Sequence, residues 1–217
     1  MPRRPALTQE QIIDAAVRVA DRGGLSRVSM RNVGREAGVE AMSLYHHLAG
    51  KEALLDALAN WIYTQIMLPE TQRPWRQEME ARAASARSAL SLHPWTLGLI
   101  GSRRSPGPDE LRHHEAVFAC LRSNGFSLPM AIHTASALDA YVYGFVISEL
   151  NMPFDAEEGM DEFIDEVQQV IPASDYPNLA ETIAVHMIGQ DFSYANEFEF
   201  GLDLILDSLE RHLASTT

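Results

Sequence analysis

An all-α fold is what this chain of 217 residues predicts, and three observations carry it. Apolar residues recur at helical spacing along the whole length. No stretch shows strand-like alternation bounded by hairpin turns, and no internal repeat is present. Glycines and prolines stand at the joints of the apolar-periodic segments, where they stop and start helices. The pattern predicts an N-terminal domain of three helices over residues 1–50. A larger helical domain follows over 51–217, joined to the first through a helix at 51–67.

Thr8 and Gln11 form a capping box that opens the first helix, with Ile12, Ile13, Ala16, Val17 and Ala20 on its apolar face and Gly23-Gly24 as its stop. Ser29 caps a short second helix that runs to Ala37 and ends at Gly38. A short third helix covers about 41–48, and Lys51 opens a long fourth helix through Met67, closed by Pro69. Longer helices are predicted at about 74–91, 95–102, 107–123, 128–151, 156–170, 177–188 and 194–214. Pro129 sits just inside its helix behind Ser127, and Asp155 with Glu158 makes another box-like start. The segment from Arg103 to Pro108 reads as the most flexible loop.

The apolar fraction of 46% and charged fraction of 22% are those of a globular protein. A single cysteine, Cys120, excludes a disulfide framework and any cysteine-rich zinc module. The longest apolar run, from Tyr141 to Ile147, is short of a membrane span, and the first residues lead into no hydrophobic signal segment; the reading is of a cytoplasmic protein. Net charge is −13, yet it is unevenly spread. Residues 1–60 hold eight Lys/Arg against seven Asp/Glu, a net of +1, so the remainder carries −14. Only the N-terminal part can approach a polyanion.

Residues 29–48 carry the most specific signal. Two short helices are joined at Gly38-Val39 with the spacing of a helix-turn-helix. Gly34 lets the second helix cross closely, Gly38 tolerates a positive φ in the turn, and Val33, Ala37, Val39 and Leu44 lock the pair. With the run from Gly38 through Lys51 to Leu58, this segment resembles the tetracycline-repressor (TetR) family of bacterial transcription regulators. Asn124 to Leu128, Tyr143-Gly144-Phe145 and Phe198 to Ile205 resemble the regulatory domain of that family's tetracycline-repressor branch.

The resemblance implies a regulator, in the usual case a repressor, that binds a palindromic double-stranded operator as a homodimer and is released by a small effector. It places Ser29, Met30 and Arg31 near phosphates and base edges, with Arg31 as the candidate for a bidentate guanine contact. Ala41, Met42, Ser43, Tyr45, His46 and His47 fall on the exposed part of the recognition helix. Tyr45 and His47 suit phosphates, and Lys51 stands at a helix N-terminus where its charge and the N–H groups both favour phosphate. Ala41 and Met42 offer no hydrogen bond to a base, only apolar contact with a thymine methyl.

For the larger domain, the repeat Phe198, Leu202, Ile205, Leu209, Leu213 forms one apolar seam. Ala131, Ala135, Ala140 and Gly144 make helix 128–151 approachable. By the resemblance these two helices pair with their copies in a four-helix bundle. Trp61, Met67, Trp95, Phe118, Met130, His133, Tyr141 and Phe145 are the candidates for lining a largely apolar effector pocket. The family's drug-binding histidine on the fourth helix is matched here by Met67, which disfavours tetracycline.

Two other classes are weighed, a helical enzyme and a DNA-independent ligand-binding or interaction protein. Glu110-x-x-His113 has the spacing of a di-iron helix motif but no second copy, and beside Arg112 it reads as a solvated face. His46-His47 and His113-His114 point to different helix faces and make no chelate alone. No nucleophile elbow or phosphate-cradling glycine loop occurs. No metal, cofactor or membrane partner is implied.

Overall fold

Helix α1 (Gln9–Gly23) begins with the capping box closed: Thr8 Oγ1 accepts the Gln11 amide at 3.2 Å, and Gln11 Oε1 accepts the Thr8 amide at 3.1 Å. It ends at Gly24, whose φ is +68°. The structure, a computed structural model, describes residues 7–152, 171–172, 174–183 and 194–216. A 3-10 turn (Leu25–Arg27) leads into α2 (Met30–Glu36) and α3 (Ala41–Leu44). Ser29 Oγ accepts the Asn32 amide at 3.2 Å and so caps α2. Gly38 makes the turn at φ +70°. A Cβ on Gly34 would stand 3.1 Å from the Ala41 backbone and from the Val39 carbonyl, so only glycine lets α3 cross this closely.

Helix α3 is shorter than its predicted span of 41–48. Beyond Leu44 the amides of Tyr45 and His47 bond to the Met42 and Leu44 carbonyls, in turns tighter than an α-helix. Both Leu44 and Leu48 reach the core by this route. Helix α4 (Lys51–Gln65) stops two residues before Met67, because Ile66 turns to extended backbone and buries its side chain. Next come α5 (Trp75–Leu92), α6 (Pro108–Ser123) and α7 (Leu128–Leu150). The helix predicted at 95–102 is a 3-10 stretch, Pro94–Gly98, followed by turns. Helices α8 (Pro177–Thr182) and α9 (Tyr194–Thr216) complete the described residues, which contain no strand. The predicted helix 156–170, its Asp155/Glu158 start and the end of 177–188 lie outside them.

Two compact units divide the chain, Met1–Tyr143 and Gly144–Thr217. The boundary expected at residue 50 falls inside the first. There α1 to α4 close around Ile12, Ala16, Val33, Leu44, Leu54 and Leu58, all fully buried. Each such large side chain contributes about 1.5–3 kcal/mol. Helix α4 also packs on α5 and α6, whose own core includes Met79, Leu90, Val117 and Leu121. In the second unit Phe145 stacks on Tyr194 at 4.8 Å and meets Phe198 edge-on at 5.0 Å. Helix α7 is long and apolar enough to cross a membrane by length and composition. Its apolar content has another outlet, since Ala131, Leu138, Val142 and Val146 are buried along one stripe.

The Arg103 loop is not loose. Arg103 pairs with Glu52 Oε2 at 2.8 Å and Asp56 Oδ1 at 2.5 Å, both on α4, and these bonds raise its pKa. Four residues on, Gly107 passes so close to Asn60 that a Cβ there would lie 2.2 Å from Asn60 Oδ1. That oxygen accepts the Asp109 amide at 2.8 Å, while Asn60 Nδ2 donates to Asp109 Oδ2 at 2.6 Å. A side chain of α4 therefore caps the first turn of α6.

Candidate nucleic-acid interface and buried polar core

The helix-turn-helix presents Arg31, Met42, Tyr45, His46, His47 and Lys51 outward, with Met42 at 70% and Tyr45 at 52% exposure. Arg31 and Lys51 form no ion pair among the described residues. Arg18 and Arg22, by contrast, both hold Glu36, tying α1 to α2 and drawing the Glu36 pKa down. Ser43 is half-buried, Ala41 leans on the core, and Ser29 spends its hydroxyl on the α2 cap. Met30 departs from its expected place: it is 7% exposed and belongs to the core, because the first turn of α2 points this position back toward α1. Arg27 and Arg35, basic residues of the first 60 that are not among the DNA-binding candidates, line a cleft with Arg22 and Asn32 between α1 and α2.

The aromatic candidates for a pocket do not form one set. Trp61 and Trp95 stack at 6.1 Å and pack on the N-terminal core, not with the others. Trp95 Nε1–H donates to Asp21 of α1 at 2.7 Å, and the same carboxylate oxygen pairs with His93 Nδ1 at 2.8 Å. Phe145 packs on α9, and His133 is exposed. Phe118, Met130 and Tyr141 remain half-buried on α6 and α7. Met67 is half-buried beyond the end of α4, its amide donating to Ser85 Oγ of α5 at 2.9 Å.

A polar cluster occupies the α4–α7 core instead. Arg82 of α5 is 3% exposed; it donates from Nε to His113 Nε2 at 2.9 Å and pairs with Asp139 of α7. His113 is fully buried, which overturns the reading of Glu110 and His113 as a solvated pair. Helix α6 turns its His113, Val117, Cys120 and Leu121 stripe inward. Burial, then the Arg82 charge, pushes the His113 pKa down to about 3. Burial also pushes Cys120 up to about 11, leaving an inert thiol. Tyr63 of α4 lies 5.5 Å from the His113 ring and hydrogen-bonds Tyr143, both phenols being held protonated, Tyr143 at about 12. His113 Nδ1 and Thr134 Oγ1 are buried with no hydrogen-bond partner among the described residues. One sequence signal pointed here: Asp139 is the one carboxylate between Leu128 and Ser148 of α7, amid apolar residues, and such a charge needs a buried partner.

The predicted dimer seam is split. Phe198 and Leu202 are 2% and 5% exposed, buried within the second unit, while Ile205, Leu209 and Leu213 are half-buried. Ala131 and Ala135 turn inward, whereas Ala140 and Gly144 are exposed. Apolar residues that do face outward include Phe200 at 64% and Leu204 at 57% on α9, and Leu128, Ile132, Ile147 and Leu150 on α7. Phe200 and Leu204 are four apart, one ridge of a helix, and a search for one unbroken seam passes over them.

Comparison with known proteins bears on both regions. Residues 12–58 match the family described as bacterial regulatory proteins, tetR family, and residues 68–213 match the tetracyclin repressor-like C-terminal domain. The chain is 32% identical over 225 residues to the HTH-type transcriptional repressor DrrR1 of Streptomyces coeruleorubidus, covering 95% of this chain and 78% of that protein. It is 28% identical to the class D tetracycline repressor protein of Escherichia coli over 182 residues, 78% of this chain and 82% of that one. The fold superimposes on apo ActR of Streptomyces coelicolor with a TM-score of 0.80 at 23% identity, covering 99% and 100% of the two chains. ActR in complex with actinorhodin matches with a TM-score of 0.77 at 25% identity over 95% and 96%.

Proposed function

Since this chain belongs to the tetracycline-repressor family of bacterial transcription regulators, we propose that it represses transcription as a homodimer on a palindromic operator and leaves the DNA when a small, largely apolar effector binds. The observation that carries the reading is the outward face of Arg31, Tyr45, His47 and Lys51 around a helix pair that Gly34 fixes, with Arg31 and Lys51 in no ion pair among the described residues. Arg31 reads a base edge; Tyr45, His47 and Lys51 hold phosphates. The functional boundary lies at residue 50, with 51–217 serving ligand and dimer.

Two recognition elements must lie about one DNA turn apart, ~34 Å, which one copy cannot supply. Phe200, Leu204, Ile147 and the exposed Gly144 are the dimer surface this reading favours, with Ile205, Leu209 and Leu213 at its border. The effector enters the α5–α7 core, between Phe118, Met130 and Tyr141. The binding of actinorhodin by ActR supports an aromatic effector here, and Met67 argues against tetracycline. DNA binding assigns the protein to the cytoplasm.

Operator selection from random DNA, followed by binding of Arg31→Ala and Lys51→Ala, tests the reading. Lys51→Ala weakens all sequences alike and lowers the salt slope by about one. Arg31→Ala costs about 1–3 kcal/mol and relaxes base preference. Wild-type behaviour of both variants refutes the assigned face. Sedimentation of Leu204→Glu tests the dimer surface: a folded monomer supports it, an unchanged dimer refutes it. Release from the selected operator by any member of a broad apolar library tests induction.

A further inference from the structure

From the buried polar cluster we infer that the effector is a neutral aromatic ketone whose carbonyl oxygen is received by the Nδ1–H of His113. The inference deepens the effector reading above and rests on it. Arg82 Nε–H can only donate, so the contact at 2.9 Å makes His113 Nε2 the acceptor. A neutral imidazole then carries its proton on Nδ1. The ring is fully buried and its pKa is depressed to about 3, so the neutral form prevails at pH 7. Nδ1–H is thus a donor with no acceptor among the described residues, and a native core leaves few such donors unmet.

The surroundings select what can meet it. A metal ion is excluded at this atom, since Nδ1 is protonated and the Arg82 guanidinium sits on the opposite nitrogen. An anionic ligand is disfavoured because Arg82 is already neutralised by Asp139. The other titratable groups facing the ring are Tyr63 from α4 and His114 and Glu110 from its own helix, with Tyr143 hydrogen-bonded to Tyr63; none adds a free cation. A neutral acceptor oxygen remains. Its carrier is apolar and flat, to pack against the Tyr63 ring 5.5 Å from the imidazole. Thr134 Oγ1 is the other buried polar atom without a hydrogen-bond partner among the described residues, and it marks a polar point on α7.

The test uses the full chain with two probes, 9-fluorenone and fluorene, which share one tricyclic frame and differ only as C=O against CH2. Affinities are measured by calorimetry for wild type and His113→Phe. Wild type is expected to bind fluorenone roughly tenfold more tightly than fluorene. His113→Phe abolishes that preference while fluorene still binds. Equal wild-type affinities overturn the ketone inference and leave DNA release by some other effector standing; binding of neither probe also overturns it. Release of operator DNA by the apolar library judges the effector reading separately. Should His113→Phe fail to fold, long-range nitrogen-15 NMR of wild type decides the tautomer. A proton on Nδ1 supports the proposal, and a proton on Nε2 overturns it.

Discussion

Two cores share the first unit and are built on different rules. Among the described residues of α1 to α3, every buried side chain is apolar. Around α5, α6 and α7, the interior also holds Glu78, Arg82, His113 and Thr134. An apolar core is indifferent to small changes of state and simply keeps its shape, which is what a surface that must match DNA requires. A polar core in a low dielectric is different: each hydrogen bond has a definite partner, and an unmet one is expensive. The first region presents; the second discriminates.

The sharpest way to break that contrast is to remove one partner from the polar core. Asp139→Ala strands the Arg82 charge and is expected to cost about 3–5 kcal/mol, read from urea denaturation. The double variant Arg82→Met/Asp139→Leu recovers most of the loss, as an apolar core would. In the apolar region the comparable lesion is Leu44→Ala, at about 2–5 kcal/mol with no rescue by a charged partner.

A second test uses pH. His113 binds its proton at about 3 in the folded state against an ordinary 6.5. The unfolded chain therefore holds more protons between those values, and stability falls as pH drops through that window. From pH 7 to pH 5 wild type should lose about 2 kcal/mol more than His113→Gln. Equal losses would place His113 outside the buried core. Smaller still is Asn60→Ala, which uncaps α6 at about 1 kcal/mol by thermal denaturation. Lys51→Ala closes the series: its folding stability should stay within about 0.5 kcal/mol, and only its DNA affinity should move.

The same contrast decides what was legible in the sequence. The helix-turn-helix was readable because it depends on local chemistry. Ser29 caps its own helix, Gly38 makes its own turn, and Gly34 contacts residues only five to seven positions away. The polar core depends on pairings between distant positions, Arg82 with His113 and Asp139. Periodicity places each residue on its helix and says nothing of what stands opposite. Trp61 and Trp95 are pocket candidates in the sequence because they are aromatic and fall where the resemblance puts the effector site. Asp21 of α1 claims Trp95 instead, a partner 74 positions away. On α9 the repeat from Phe198 to Leu213 did mark an apolar face, but Phe145 and Tyr194 show that its first half is consumed inside the chain.

The stacked indoles give the molecule an optical gauge. Two of its three tryptophans, Trp61 on α4 and Trp95 beside α1, lie with rings 6.1 Å apart and 18° from parallel. Near-parallel chromophores at that separation couple their excited states, and His93 stands edge-on to both. The third, Trp75, sits apart against Phe126 and supplies a constant background. Any sliding of α4 along α1 changes the overlap of the pair. Near-ultraviolet circular dichroism of the unlabelled protein can therefore report the helix that leads to Lys51 during a titration, with no dye attached to the surface that meets DNA.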